Sequence, residues 1–222
     1  VKLDFHGNKQ WTLKVKELTK GSDKLFINSF QNASIYWFYS KEKTHYQKNY
    51  LGRKNQYDFI PNNDVYTSDS IAYITRISKE YSTIKMKSSG KDSIFISFIN
   101  DYKSFFDIEI DFVNSSNIVF NTSTKKMYDV IVKNPYKFDI YLNDIEVLVA
   151  FQNNKGNEKY SIPSKINTSI IKASSKKIFS LELDGSLIYD INEFSTVGIG
   201  IKTSQKMDLV KVSSLNNFKI VN

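Results

Sequence analysis

Along most of this chain, apolar and polar side chains alternate one by one. In Phe106-Asp107-Ile108-Glu109-Ile110-Asp111-Phe112 every apolar residue falls on one face and every carboxylate on the other, the mark of a half-buried strand. Trp11 to Lys16, Ile94 to Phe98, Ile178 to Leu183 and Val197 to Ile201 repeat the pattern and are expected to be strands too. Asn, Ser, Asp and Gly clusters at Gly21-Ser22-Asp23, Ser88-Ser89-Gly90 and 153–157 read as turns between strands. A period of 3.6 residues is hard to find anywhere. Short strands at regular spacing, with no helices between them, predict an all-β protein of antiparallel sandwiches or barrels.

The stretch densest in β-branched and aromatic residues is VKNPYKFDIYLNDIEVLVAF, residues 132–151. Pro135 cannot donate to a ladder, so Asn134-Pro135 belongs at a strand end or bend. Phe138 to Phe151 then reads as a strand, a tight bend at Asn143-Asp144 and a second strand, with Leu142, Ile145, Val147, Val149 and Phe151 facing the core. A polar loop, Ile162-Pro163, a Ser-rich turn at Ala173-Ser174-Ser175 and the strand Ile178 to Leu183 follow. That order, a strand ending in Asn-Pro and leading into hairpins, resembles the late-embryogenesis-abundant group 2 domain of the WHy type over residues of about 125–222. The resemblance implies an immunoglobulin-like β-sandwich with a binding or protective role and no catalytic residues. Residues 1–124 carry no copy of the pattern. They are read as a more aromatic β module, with a long polar excursion near 44–70. Two sandwich-like modules in tandem are therefore expected, meeting near Asn121 to Lys125.

Composition narrows the classes. The 222 residues suffice for one large β domain or two small ones, and 41% hydrophobic with 24% charged residues is ordinary globular usage. No run of about 18 apolar residues offers a transmembrane segment. The start VKLDFHGNKQW has no basic or apolar leader character, so any signal peptide or anchor is expected to precede Val1 or to have been removed. With no cysteine, disulfides, thiolate metal sites and cysteine nucleophiles are excluded. The net charge of +8 suits a polyanion, but Arg53 and Arg76 are the only arginines, whereas bidentate phosphate recognition leans on Arg. Solvated lysines spread over strand faces are the competing explanation.

Three constellations carry candidate chemistry. The first is Ile35-Tyr36-Trp37-Phe38-Tyr39 followed by cations and tyrosines, among them Tyr46, Lys48, Tyr50, Arg53, Lys54 and Tyr57. Rings interleaved with cations can stack the bases of single-stranded nucleic acid, or grip a protein or a sugar. The plainer alternative is a strand whose alternate rings fill the core. The second is Asp101-Tyr102-Lys103 with Asp92 upstream, the minimal pattern of a metal-dependent nuclease. That chemistry wants flanking helices, which the pattern does not predict, so a polar turn is expected. The third is the acidic face Asp107, Glu109, Asp111, whose carboxylates lie about 7 Å apart along a strand and are explained by cross-strand pairing with lysines. His6 and His45 are the only histidines, and the chain has no Gly-x-Ser-x-Gly elbow, dinucleotide fingerprint or P-loop. The sequons at Asn32, Asn114, Asn121 and Asn167 are what an Asn- and Ser-rich chain yields by chance.

The reading that follows is a non-catalytic binding or structural component of a cell envelope or extracellular assembly. It would be exported and would recognise a protein or glycan partner, through Tyr46, Lys48, Tyr50, Arg53, Lys54 and Tyr57, with no cofactor. A basic module for single-stranded nucleic acid is the alternative, and a metal-dependent nuclease the third.

Overall fold

The computed structural model describes residues 6–27, 29–47, 67–77, 79–88, 93–105, 107–115, 118–153, 159–189, 193–203, 207, 209–211 and 213–221. Of these, 54% are in strands and 17% in helices, so the chain is mostly β. It divides into two compact units: residues 1–104 with 204–207, and residues 105–203 with 208–222. The division falls between Ser104 and Phe105, upstream of the 121–125 segment expected from the sequence.

Unit 1 corrects the expectation of strands throughout. It contains helix α1 (His6–Leu18), strand β1 (Asp23–Phe26), helix α2 (Phe30–Ser40), and strands β2 (His45–Tyr46), β3 (Thr67–Thr75), β4 (Ile84–Lys87) and β5 (Ser93–Lys103). Trp11 to Lys16, expected as a strand, lies inside α1. Trp11 and Val15 sit one helical turn apart and are both buried, whereas Leu13, which a strand would bury beside them, is exposed. Thr12 is held in the helix by hydrogen bonds from its hydroxyl to the carbonyls of Asn8 and Lys9, each 2.9 Å. The aromatic run Ile35 to Tyr39 is likewise helical. Ser29 caps α2 by accepting the Asn32 amide at 3.2 Å, and Lys41 ends it in the left-handed region, its N–H donating to the Trp37 carbonyl.

The sheet of unit 1 runs β2-β1-β3-β5-β4. β1 pairs parallel with β2 and β3, and β5 pairs antiparallel with β3 and β4. One face of this mixed sheet, Phe26, Ala72, Ile74, Ile94 and Ile96, packs on Trp11 and Val15 of α1 and on Ala33 and Tyr36 of α2. Helix packing supplies what local propensity does not: each large side chain taken wholly out of water contributes about 1.5–3 kcal/mol.

Among its described residues, unit 2 has only strands and short 3-10 turns: β6 (Glu109–Phe112), β7 (Ile118–Asn121), β8 (Lys125–Asn134), β9 (Ile140–Tyr141), β10 (Glu146–Asn153), β11 (Lys159–Ile166), β12 (Ile170–Ile171), β13 (Ser175–Asp184), β14 (Phe194–Lys202), β15 (Val210–Lys211) and β16 (Asn216–Val221). The main sheet runs β6-β8-β13-β11-β10-β14-β16-β7, with β15 added to β14. Its neighbours are antiparallel except β16 and β7, which run parallel. The two end strands are consecutive in the chain, and the sheet curls nearly into a barrel. The Tyr128 hydroxyl of β8 donates to the Val119 carbonyl of β7 at 3.0 Å across the closing gap. Phe120, fully buried, is the hub of this closure, with ring contacts to Phe112, Tyr128, Phe151 and Phe218 at 5.2–6.5 Å.

The Asn-Pro stretch has a specific structural role. Asn134 ends β8 with its side chain buried; its amide donates to the carbonyls of Phe138, Ile171 and Lys172 at 2.9–3.2 Å, and its carbonyl accepts the Tyr136 N–H at 2.9 Å. One side chain thus fixes the turn after β8 and ties it to β12. The expected strand, bend and strand of Phe138 to Phe151 are present as β9, a 3-10 turn at Leu142–Asp144, and β10. They do not form a hairpin with each other: β9 pairs with β12, and β10 with β11 and β14. Ile145, Val147, Val149 and Phe151 are buried as expected, whereas Leu142, in the 3-10 turn, is only half-buried. Gly200 is required by close packing, since a Cβ there would lie 2.7 Å from Leu209 and 2.9 Å from the Val210 carbonyl.

Candidate functional site

Of the six partner-binding candidates, Tyr46 is described: it lies in β2 at the edge of the unit 1 sheet, half-buried against the helix-covered core. Lys48, Tyr50, Arg53, Lys54 and Tyr57 lie outside the described residues, as does most of the 44–70 excursion. Next to Tyr46, burial first and then the Lys43 charge lower the pKa of His45 against the opposing pull of Asp23, so the ring is neutral at pH 7.

The Asp101-Tyr102-Lys103 pattern ends β5 in an unusual backbone, Asp101 having a φ of 52°. Tyr102 between them is buried, and Asp92 lies outside the described residues. Two helices do accompany this sheet. Among the described residues, however, no group of three His, Asp or Glu side chains is placed to hold a metal ion. Of the acidic face, Glu109 pairs with a lysine across the ladder as expected, meeting Lys133 of the neighbouring β8 at 2.8 Å, whereas the Asp111 carboxylate accepts the Ser214 N–H at 2.7 Å and Asp107 precedes β6.

Sequence reasoning missed two constellations. In unit 1, Glu42 collects partners from three elements. Its carboxylate accepts the Tyr36 hydroxyl of α2 at 2.6 Å and lies 3.1 Å from Lys24 of β1 and 3.3 Å from Lys16 of α1. Lys24 is a buried cation, with a side chain 9% exposed, and Glu42 is its counter-ion. Burial opposes the charge on Glu42, but the Tyr36 hydroxyl and the two ammonium groups outweigh it and lower its pKa. Burial and the adjacent carboxylate push the Tyr36 hydroxyl far above the usual phenol range. The phenol therefore stays protonated as a donor, and the cluster acts as a clasp between helices and sheet. The residues lie at 16, 24, 36 and 42, with no periodicity to announce them.

In unit 2 a cleft of about 720 Å³ opens among the start of β10, the end of β11, the end of β13 and their turns. Its apolar wall includes Leu142, Ile145, Val147 and Leu187, and its polar wall Lys125, Lys165, Glu146, Glu182 and Asp184. Several of these charges are engaged with near neighbours. Lys125 and Glu182 are 3.6 Å apart, and Asp184 accepts both the Ser186 hydroxyl and its N–H, which lowers its pKa. At the margin, the carbonyl of Leu187 accepts the Tyr160 hydroxyl, and Tyr160 packs edge-on against Tyr189 at 5.1 Å. Burial, followed by the neighbouring Tyr189, raises the Tyr160 pKa to about 12. Tyr189 itself is 67% exposed. A volume of this size suits a small ligand or a short segment of a partner, and the mixed lining suits recognition.

No family model matches the chain, and no curated protein does. No helix among the described residues is long and apolar enough to cross a membrane.

Proposed function

We propose that this protein is a non-catalytic binding or structural component of a cell envelope or extracellular assembly, with a protein or glycan partner. Unit 2 is then an immunoglobulin-like sandwich of the WHy type, its strands closed around the Phe120 hub and its Asn-Pro bend fixed by Asn134. The carrying observation is the unit 2 cleft with its margin of Leu187, Tyr160 and exposed Tyr189. Within it Lys125 and Glu182 are paired with each other, and rigid rings at the margin contribute contact area at low entropic cost. In unit 1, Tyr46 and the residues that follow it are a second contact region of the same kind.

The test is a titration of the full chain with soluble cell-wall glycan fragments and with solubilised envelope proteins. Tyr189→Ala with Leu187→Ser should weaken binding about ten-fold or more and leave the thermal midpoint unchanged. Indifference of every bound partner to this pair would overturn the assignment of the cleft. Salt-sensitive, submicromolar binding of single-stranded DNA, lost on changing Lys48, Arg53 and Lys54 to Ser, would replace this reading with the nucleic-acid one.

A further inference from the structure

Helix α2 of unit 1 buries one side and exposes two large rings on another. Asn32, Ala33, Tyr36 and Ser40 face inward. Trp37 and Phe38, adjacent near the end of the helix, are its exposed apolar side chains, and Lys41 ends it as the left-handed cap. Trp37 is 41% and Phe38 65% exposed, unusual for large apolar side chains of an 11-residue helix. The Lys41 Nζ lies over the Phe38 ring, 4.7 Å from its centroid. Residues 6–43 carry seven lysines against three acidic residues, an excess of four positive charges. Exposed Trp and Phe on a short helix, followed by Lys41 and Lys43 with the intervening Glu42 paired to Lys16 and Lys24, match the chemistry of an anionic lipid headgroup layer. Rings enter the interface while ammonium groups stay among the phosphates.

We infer that the outer face of α2 docks on an anionic membrane surface, with Trp37 and Phe38 inserted at headgroup depth and Lys41 and Lys43 against lipid phosphates. This stands apart from the recognition proposed for unit 2, since it uses other residues and another chemistry.

The experiment is sedimentation of the full chain with vesicles of phosphatidylcholine alone or with about a third phosphatidylglycerol, read together with tryptophan emission. The chain has two tryptophans, and Trp11 is buried, so a blue shift on binding reports Trp37. Binding to the anionic vesicles alone is expected, with a blue shift that Trp37→Phe removes. Trp37→Ser with Phe38→Ser should lower partitioning at least ten-fold, and Lys41→Ser and Lys43→Ser about five-fold each at low salt. Unchanged circular dichroism of the variants separates lost docking from lost folding. No sedimentation with anionic vesicles, equal sedimentation of the Trp37→Ser, Phe38→Ser chain, or dimerisation abolished by that pair would each overturn the inference. The last would assign the face to a second copy of the chain.

Discussion

Units 1 and 2 draw on the same residue types and arrive at different architectures. In unit 2 the alternating runs Ile178 to Leu183 and Val197 to Ile201 are strands, and aromatic residues converge on Phe120 inside a curled sheet. In unit 1 the run Trp11 to Lys16 and the aromatic run Ile35 to Tyr39 are helices laid on a mixed sheet. Alternation over six residues does not separate the two outcomes, because positions i and i+4 share a face in a strand and in a helix alike. What separates them is the position midway, at i+2. The other difference lies in the polar interior. Unit 2 fastens a turn with the neutral amide of Asn134, whereas unit 1 fastens helices to sheet with the charged clasp of Glu42, Lys24 and Tyr36.

The largest effect is expected where unit 2 closes. A Cβ on Gly185 would lie 1.8 Å from the Asn121 carbonyl oxygen and 2.7 Å from that of Thr124, both backbone atoms. Gly185 also donates its N–H to Thr124 at 3.1 Å, so the contact cannot open without losing a hydrogen bond. Gly185→Val should destabilise unit 2 by about 3 kcal/mol or more. Both tryptophans, Trp11 and Trp37, belong to unit 1, which makes the comparison measurable. Under urea, the circular dichroism transition of the variant should move to lower concentration while tryptophan emission holds its wild-type midpoint. Transitions that move together would show that the units unfold as one body.

A smaller effect tests the helix directly. If α1 forms, Val15→Ala removes wholly buried methyl groups from the unit 1 core and should cost about 2 kcal/mol. Leu13→Ala, at a position 44% exposed, should then cost about 0.5 kcal/mol or less, read by tryptophan emission in urea. A strand would bury both and make the costs similar. This pair also marks how far the sequence was legible. The β character, the strands near residues 94–98, 178–183 and 197–201 and the bend before β10 were all readable, because each rests on a local pattern. The helices were not, since Ile35, Tyr36, Trp37, Phe38 and Tyr39 favour strands intrinsically and are held helical by packing, a Ser29 cap and a left-handed Lys41. Nor was the unit 2 cleft, whose wall is assembled from strands and turns up to 62 residues apart in sequence, from Lys125 to Leu187. Of the partner-site residues read from the sequence, Tyr46 alone has a described position, and the Glu42 clasp has no sequence signature at all.

The smallest effect depends on pH and belongs to the clasp. The Glu42 pKa is lowered in the folded chain, so its contribution is fully present above the unfolded value of about 4.3 and is lost as pH falls through the lower folded value. Tyr36 carries the opposite sign: its folded pKa is raised, so its contribution is present below about 10 and is lost as pH climbs beyond that. Between those limits the clasp is intact. Its carboxylate is 35% exposed, and solvent screening holds the value of its ion pairs to about 1 kcal/mol or less. Glu42→Gln should therefore lower the stability of unit 1 by about that amount at pH 7, measured by tryptophan emission in urea. The difference from wild type should begin to shrink as pH falls below about 4.3 and close as the native carboxylate takes up its proton at its lower folded pKa, where Lys24 loses its counter-ion in both proteins. Tyr36→Phe should keep most of the packing, lose the 2.6 Å hydrogen bond and flatten the alkaline limb above about pH 10. A Glu42→Gln deficit that persists unchanged at pH 3 would mean that carboxylate shape and hydrogen bonding, rather than charge, hold the helices to the sheet.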